Sequence, residues 1–266
     1  MRKVFYLKTM NSKQKKLEAF SRLLDIMDDL REKCPWDRKQ TMESLRHLTL
    51  EEAYELSDAI LENNLPEIKK ELGDVMLHLV FYAKIASEEK AFDIADVINA
   101  LNDKLIFRHP HIYGDATAED EEAVKQNWEK LKLKEGNRSV LAGVSKGTPS
   151  LVKAYRIQDK VKGIGFDFPD EHSALKKVEE EFAEFQSESA ADKREAEFGD
   201  VLFSLINYAR ITGINPDTAL ERTNRKFISR FQKMEQIAAE RKLNLTEMNL
   251  QQMDELWDEA KGILEE

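Results

Sequence analysis

Glu180-Glu181-Phe182-Ala183-Glu184, followed after a short gap by Glu197-Phe198-Gly199-Asp200-Val201, is the stretch around which this chain is organised. On an α-helix advancing 100° per residue, Glu180 and Glu184 lie about 40° apart and Glu197 and Asp200 about 60° apart. Each cluster therefore projects its carboxylates from one helical face. The same arrangement is written earlier as Glu51-Glu52-Ala53-Tyr54-Glu55 and Glu71-Leu72-Gly73-Asp74-Val75.

The register of the two copies extends beyond the acidic residues. Trp36-Asp37 precedes the first cluster as Phe166-Asp167 precedes the second, and Tyr82 and Tyr208 each follow the motif Asp by eight residues. Asp93 reads as a helix N-cap, and Asn215-Pro216 takes its place in the second copy. Lys104 and Lys226 both lie eleven residues beyond these caps, and Arg108 and Arg230 both follow four later. The chain thus reads as two copies of one four-helix unit, all-α, in domains 1–135 and 151–266 joined by a linker at 136–150. That linker is marked by Gly136, Gly143, Gly147 and Pro149.

Composition agrees with a helical protein. Charged residues make up 35% of the 266, while Gly (10) and Pro (6) are sparse. A formal charge of −10 argues against stable nucleic-acid binding, which wants a basic face. The single Cys34 excludes an internal disulfide framework and fits a reducing compartment. No stretch reads as a membrane span or a secretory signal, so the expectation is a cytoplasmic protein without membrane association. The run Val75 to Ala83 is almost unbroken in apolar character and is expected to be buried.

Several carboxylates within a few ångströms repel one another, by about 4 kcal/mol for a pair at 4 Å and an effective dielectric of 20. Protonation or a cation relieves this. Hard oxygen ligands with no fixed Cys or His partner suit Mg²⁺, with Mn²⁺ as a possible substitute, rather than zinc or iron. His78, four residues after Asp74, is answered by Ser204 in the second copy and reads as a packed histidine. Gly73 and Gly199 inside helices cost about 1 kcal/mol each relative to Ala, and are expected to let a neighbouring helix or a ligand come close. A Lys and an Arg four apart on a later helix are what a triphosphate requires: a point charge and a fork.

These residues resemble the MazG family of nucleoside triphosphate pyrophosphohydrolases, within the all-α NTP pyrophosphohydrolase superfamily. The resemblance runs from Cys34-Pro35-Trp36-Asp37 through Arg108-His109-Pro110-His111 to Trp257. It implies two tandem MazG-like units in a helical homodimer, and Mg²⁺-dependent conversion of nucleoside triphosphates of varied base to NMP and pyrophosphate, a reaction that controls nucleotide pools. In the second copy it implies Glu180, Glu181, Glu184, Glu197 and Asp200 as metal ligands. Lys193, Lys226 and Arg230 would meet the phosphates, Trp257 would lie near the nucleotide, and Lys132 resembles a further family lysine. Of these, Glu181, Glu184, Lys226 and Arg230 are the expected catalytic groups. In the first copy it implies Glu51, Glu52, Glu55, Glu71 and Asp74 for metal, with Lys104 and Arg108 for substrate. Two other readings stand beside it: a related enzyme specific for dUTP or a phosphoribosyl nucleotide, and a metal-binding helical interaction protein without turnover.

Overall fold

A computed structural model describes residues 11–115, 124 and 139–265 of the chain. Among these residues the regular structure is helical, with no strand. The chain divides into two compact units, Met1–Ala116 and Thr117–Glu266. The division falls ahead of the Gly-rich segment at which the sequence suggests a linker. The described part of that segment, 139–149, is held by Lys160, whose ammonium donates to the Val140 and Ala142 carbonyls at 3.1 Å each. Lys132 lies outside the described residues.

Unit 1 contains α1 (Lys13–Lys33), α2 (Met42–Leu61), α3 (Leu65–Glu88), α4 (Ile94–Arg108) and the single turn α5 (Pro110–Tyr113). A 3₁₀ turn at Asp37–Lys39 occupies the Pro35-Trp36-Asp37 corner. Thr41 and Ser44 form a reciprocal capping box that starts α2, and Asp93 caps α4 by accepting from the Ala95 and Asp96 amides at 2.8 and 3.0 Å. The core is Met27, Leu45, Val80, Phe81 and Ile85. The apolar run of α3 is only partly buried, contrary to expectation. Val80, Phe81 and Ala83 are inside, whereas Leu72, Met76 and Leu79 form an exposed stripe. A helix at 3.6 residues per turn can turn only one arc toward its own unit, and the apolar residues of α3 exceed that arc.

Unit 2 contains α6 (Ser150–Lys162), α7 (Glu171–Ser187), α8 (Ala191–Ile211), α9 (Pro216–Glu240) and α10 (Leu250–Glu265), with a 3₁₀ turn at Leu245–Glu247. Asp170 caps α7 and Asn215 caps α9. The α7–α8 hairpin is zipped by Phe185, whose ring lies 5.4 Å from that of Phe198. Helices α9 and α10 close over Met234, Ile237, Ala238, Leu256 and Ala260. No helix among the described residues is long and apolar enough to cross a membrane.

Among the described residues, no neighbouring helix makes the expected close approach at the two motif glycines. A Cβ at Gly73 or Gly199 would have no non-neighbouring heavy atom within 4 Å. The open space at Gly199 belongs to an apolar groove of about 540 Å³ that it shares with Leu202, Leu205, Ile206 and Pro216.

Candidate active site

The antiparallel pairing of α7 with α8 brings together carboxylates separated in sequence. Oxygens of Glu181, Glu184 and Glu197 all lie within 4.8 Å of one another. In unit 1 the α2–α3 pair does the same for Glu52, Glu55 and Glu71. Each trio takes two residues from the Glu-Glu-x-x-Glu helix, spaced by three so that both side chains point to the partner helix, and one from the Glu-x-Gly-Asp helix. Asp200 and Asp74 stand close enough to raise the pKa of Glu197 and Glu52 respectively. The remaining members of the two acidic motifs, Glu51 and Glu180, are exposed and outside the trios.

The electrostatics of the trios are those of a site short of positive charge. Burial, then Glu184, Asp200 and Glu181, push the Glu197 carboxyl up. Burial, then Asp74, Glu55 and Glu71, do so for Glu52. Glu71 is 1% exposed, and its Oε2 is buried with no hydrogen-bond partner among the described residues. Among the described residues, each unit places one lysine against its carboxylate trio, at positions that do not correspond. Lys177 of α7 reaches Glu180 Oε1 at 2.6 Å and Glu181 Oε1 at 2.7 Å. Lys70 of α3 reaches Glu71 Oε1 at 2.7 Å and Glu67 Oε1 at 3.2 Å. Hydrogen bonds to these carboxylates raise the pKa of both lysines, and Lys70 holds the Glu71 carboxyl below its ordinary value. Sequence reading missed Lys177 as a site residue, although its place four residues before Glu181 was a usable signal.

All-oxygen trios whose carboxylates outnumber the lysine beside them, and an orphaned carboxylate oxygen in Glu71, fit a hard divalent cation. The expected phosphate-binding residues are less converged. Lys193 is exposed in the first turn of α8, and Lys226 is exposed on α9. Arg230 pairs with Glu265 of α10, and its Nε is buried without a partner among the described residues. Trp257 packs on the α9–α10 core with its ring centroid 4.9 Å from that of Phe227. In unit 1, Lys104 is exposed and Arg108 half-buried at the end of α4. His78 is buried, with Nδ1 2.8 Å from Thr49 Oγ1, which in turn lies 2.6 Å from the Tyr82 hydroxyl.

A cavity of about 490 Å³ opens beside the unit 2 carboxylates, with Glu181, Asp200 and Lys177 among its lining residues. Its walls are largely apolar, from Phe166, Phe168 and Phe203. Asp167, which follows Phe166, is fixed by an ion pair with Arg210. An apolar space of this size beside a cluster of metal-competent carboxylates has the form of a small-molecule site.

The profile of the MazG nucleotide pyrophosphohydrolase domain matches residues 40–113, a span that includes the unit 1 carboxylates. The nucleoside triphosphate pyrophosphohydrolase/pyrophosphatase MazG of Thermotoga maritima is 44% identical over 248 residues, covering 91% of this chain and 96% of that protein. The nucleoside triphosphate pyrophosphohydrolase of Escherichia coli K12 is 38% identical over 257 residues, covering 92% of this chain and 98% of that one. The crystal structure of a mazG-related protein from Thermotoga maritima aligns with 42% of this chain and 98% of its own at 26% identity, with a TM-score of 0.38.

Proposed function

The chain belongs to the MazG family, and from that premise we propose that it hydrolyses nucleoside triphosphates of varied base at the α–β phosphoanhydride, with Mg²⁺, chiefly in unit 2. It is an enzyme of the acid-anhydride hydrolase class, a nucleoside triphosphate pyrophosphohydrolase. The observation that carries the assignment to unit 2 is the juxtaposition of the Glu181–Glu184–Glu197 trio with the cavity that Glu181 and Asp200 help to line.

Glu181, Glu184, Glu197 and Asp200 would hold Mg²⁺ in unit 2, with Glu180 at the edge, and Glu52, Glu55, Glu71 and Asp74 would do so in unit 1, with Glu51 outermost. When bound, the ion supplies Lewis-acid activation of water and neutralisation of phosphate charge. The remaining work falls to the chain. Water attacks the α-phosphorus, the bridging α–β bond breaks, and NMP and pyrophosphate result. Glu184 is exposed on the face it shares with Glu181 and is suited to take the proton of the attacking water. Lys193, Lys226 and Arg230 would carry the charge of the phosphates, Arg230 exchanging Glu265 for a phosphate oxygen. Lys104 and Arg108 are their counterparts in unit 1.

The chain would work as a homodimer of two-unit protomers in the cytoplasm, where removal of triphosphates controls nucleotide pools. The exposed stripe of α3 and the open groove at Gly199 are apolar surface that a second copy would cover.

Product analysis tests the reading directly. ATP and dUTP are incubated with Mg²⁺ and wild type, Glu181→Gln or Glu52→Gln. NMP and pyrophosphate should form, be lost with Glu181→Gln and persist with Glu52→Gln. Loss only with Glu52→Gln would move the reaction to unit 1, and no turnover by folded wild type in Mg²⁺ would end the enzymatic assignment.

A further inference from the structure

Gln158 of α6 is 3% exposed, in the wall of the cavity that Phe166, Phe168 and Phe203 also line. Its Nε2 donates to the Phe203 backbone carbonyl of α8 at 2.8 Å. That carbonyl can only accept, so the orientation of the amide is settled by its partner. Its Oε1 is buried and has no hydrogen-bond partner among the described residues. With the nitrogen committed, this oxygen is the only polar atom the amide has left for the cavity that Gln158 lines. A buried acceptor without a partner costs about 1–3 kcal/mol, a cost a ligand donor would remove.

A second amide faces the same space in the opposite sense. Asn207 Oδ1 accepts from Arg210 Nε at 3.1 Å and Nη2 at 2.7 Å, which leaves the Asn207 nitrogen as a donor for whatever enters the cavity it lines. One acceptor and one donor, set among aromatic side chains next to metal-competent carboxylates, describe a receptor for a flat heterocycle whose edge carries a donor beside an acceptor.

We infer that this cavity receives the nucleobase of the substrate, with Gln158 Oε1 accepting a hydrogen bond from an N–H of its hydrogen-bonding edge. The inference rests on the pyrophosphohydrolase reading for the position of the phosphates, at Glu181 and Asp200. It assigns the base to a place other than the face of Trp257, which is packed against Phe227. It also accounts for broad base use, because every common nucleobase has at least one N–H on that edge, while a base lacking one leaves the buried oxygen unpaired.

Two triphosphates that differ in that group alone provide the test. ATP carries the exocyclic amine; purine riboside triphosphate lacks it and keeps the ring acceptor. Wild type should favour ATP in kcat/KM by about tenfold, in line with one buried unpaired acceptor. Gln158→Met should remove the preference, bringing kcat/KM for the two nucleotides together. Phe166→Ala, at a residue 76% exposed and outside the core, should raise KM for both without unfolding the protein. Equal use of the two nucleotides by wild type, or equal losses on both in Gln158→Met, would overturn the assignment while leaving the hydrolysis intact. Should wild type hydrolyse neither, equilibrium binding of AMP against purine riboside monophosphate decides separately. Tighter binding of AMP that disappears in Gln158→Met supports the cavity, and equal or absent binding refutes it.

Discussion

Lys177 Nζ lies 2.7 Å from Glu181 Oε1, so the acidic cluster of unit 2 already contains one cation of its own. A divalent ion must displace or outbid that ammonium. Lys177→Gln should therefore bind Mg²⁺ more tightly, by about fivefold for a half-exposed pair worth about 1 kcal/mol, while the metal-free protein becomes less stable. Calorimetric titration with Mg²⁺, paired with melts in chelator, measures both. Weaker Mg²⁺ binding would instead assign the lysine a supporting role in the metal site.

Glu197 makes the pH dependence of unit 2 predictable in sign. Its carboxyl is raised above its ordinary value of 4.5, so the folded state holds that proton more tightly than the unfolded chain. The ionised group then costs stability above the raised folded pKa, and the cost disappears as pH falls through that value toward 4.5. In chelator at pH 7, Glu197→Gln should melt above wild type, and the gap should close on acidification. Saturating Mg²⁺ should invert the order, because wild type gains the binding energy and the variant gains less. Thermal melts across pH, with and without metal, test all three statements.

Arg31 is the corresponding anchor of unit 1. Its Nη1 donates to the Asp37 carbonyl at 2.6 Å and the Gln40 carbonyl at 3.1 Å, and its Nε donates to Glu88 Oε1 at 3.0 Å. Arg31→Met would leave two carbonyls and a carboxylate short of a donor, at a cost of about 3 kcal/mol and a Tm lower by on the order of 10 °C. Lysine should not rescue it, since an ammonium cannot reproduce the guanidinium fork. The Arg31 hydrogen bond holds Glu88 below its ordinary carboxyl value, so this stabilisation is present above about pH 4.5 and is lost as pH falls through the folded pKa of Glu88. Circular-dichroism melts of Arg31→Met and Arg31→Lys provide the check.

Trp257 separates packing from substrate contact. Its ring lies against Phe227 and beside the core of Met234, Ile237 and Leu256. Trp257→Ala should lower stability by about 2–3 kcal/mol, whereas Trp257→Phe should keep Tm within a few degrees and leave the ranking of bases unchanged. A changed base ranking in Trp257→Phe, read from kcat/KM over several triphosphates, would return the nucleobase to α10.

The helices were legible in the sequence because the signals that make them are local. Asp93 and Asn215 accept from amides three residues on or fewer, and Glu181 and Glu184 share a face by helical period alone. The trios were half legible: two members each are one turn apart, while the third arrives across a hairpin. The exposure of the stripe at Leu72, Met76 and Leu79 is not legible in the sequence, because apolar composition says that a face wants cover and not which chain supplies it. The spacing of Arg230 to Lys226 marks a pair suited to phosphate, while the pairing of Arg230 with Glu265, 35 residues away, is not encoded in that spacing.

By itself, the sequence determined that the chain is helical, that its acidic motifs occur twice in one register, and that each motif turns its carboxylates to one face. These follow from backbone geometry over a few residues. Tertiary structure alone decided that Glu181, Glu184 and Glu197 converge, that different lysines sit against the carboxylates of the two units, and that Gln158 Oε1 is left unpaired beside a cavity. The partner of Gln158 is the Phe203 carbonyl, 45 residues on, and every backbone carbonyl reads alike in a sequence. Which polar atoms are satisfied, and which wait for a ligand, depends on how the helices pack, and spacing along the chain does not encode it.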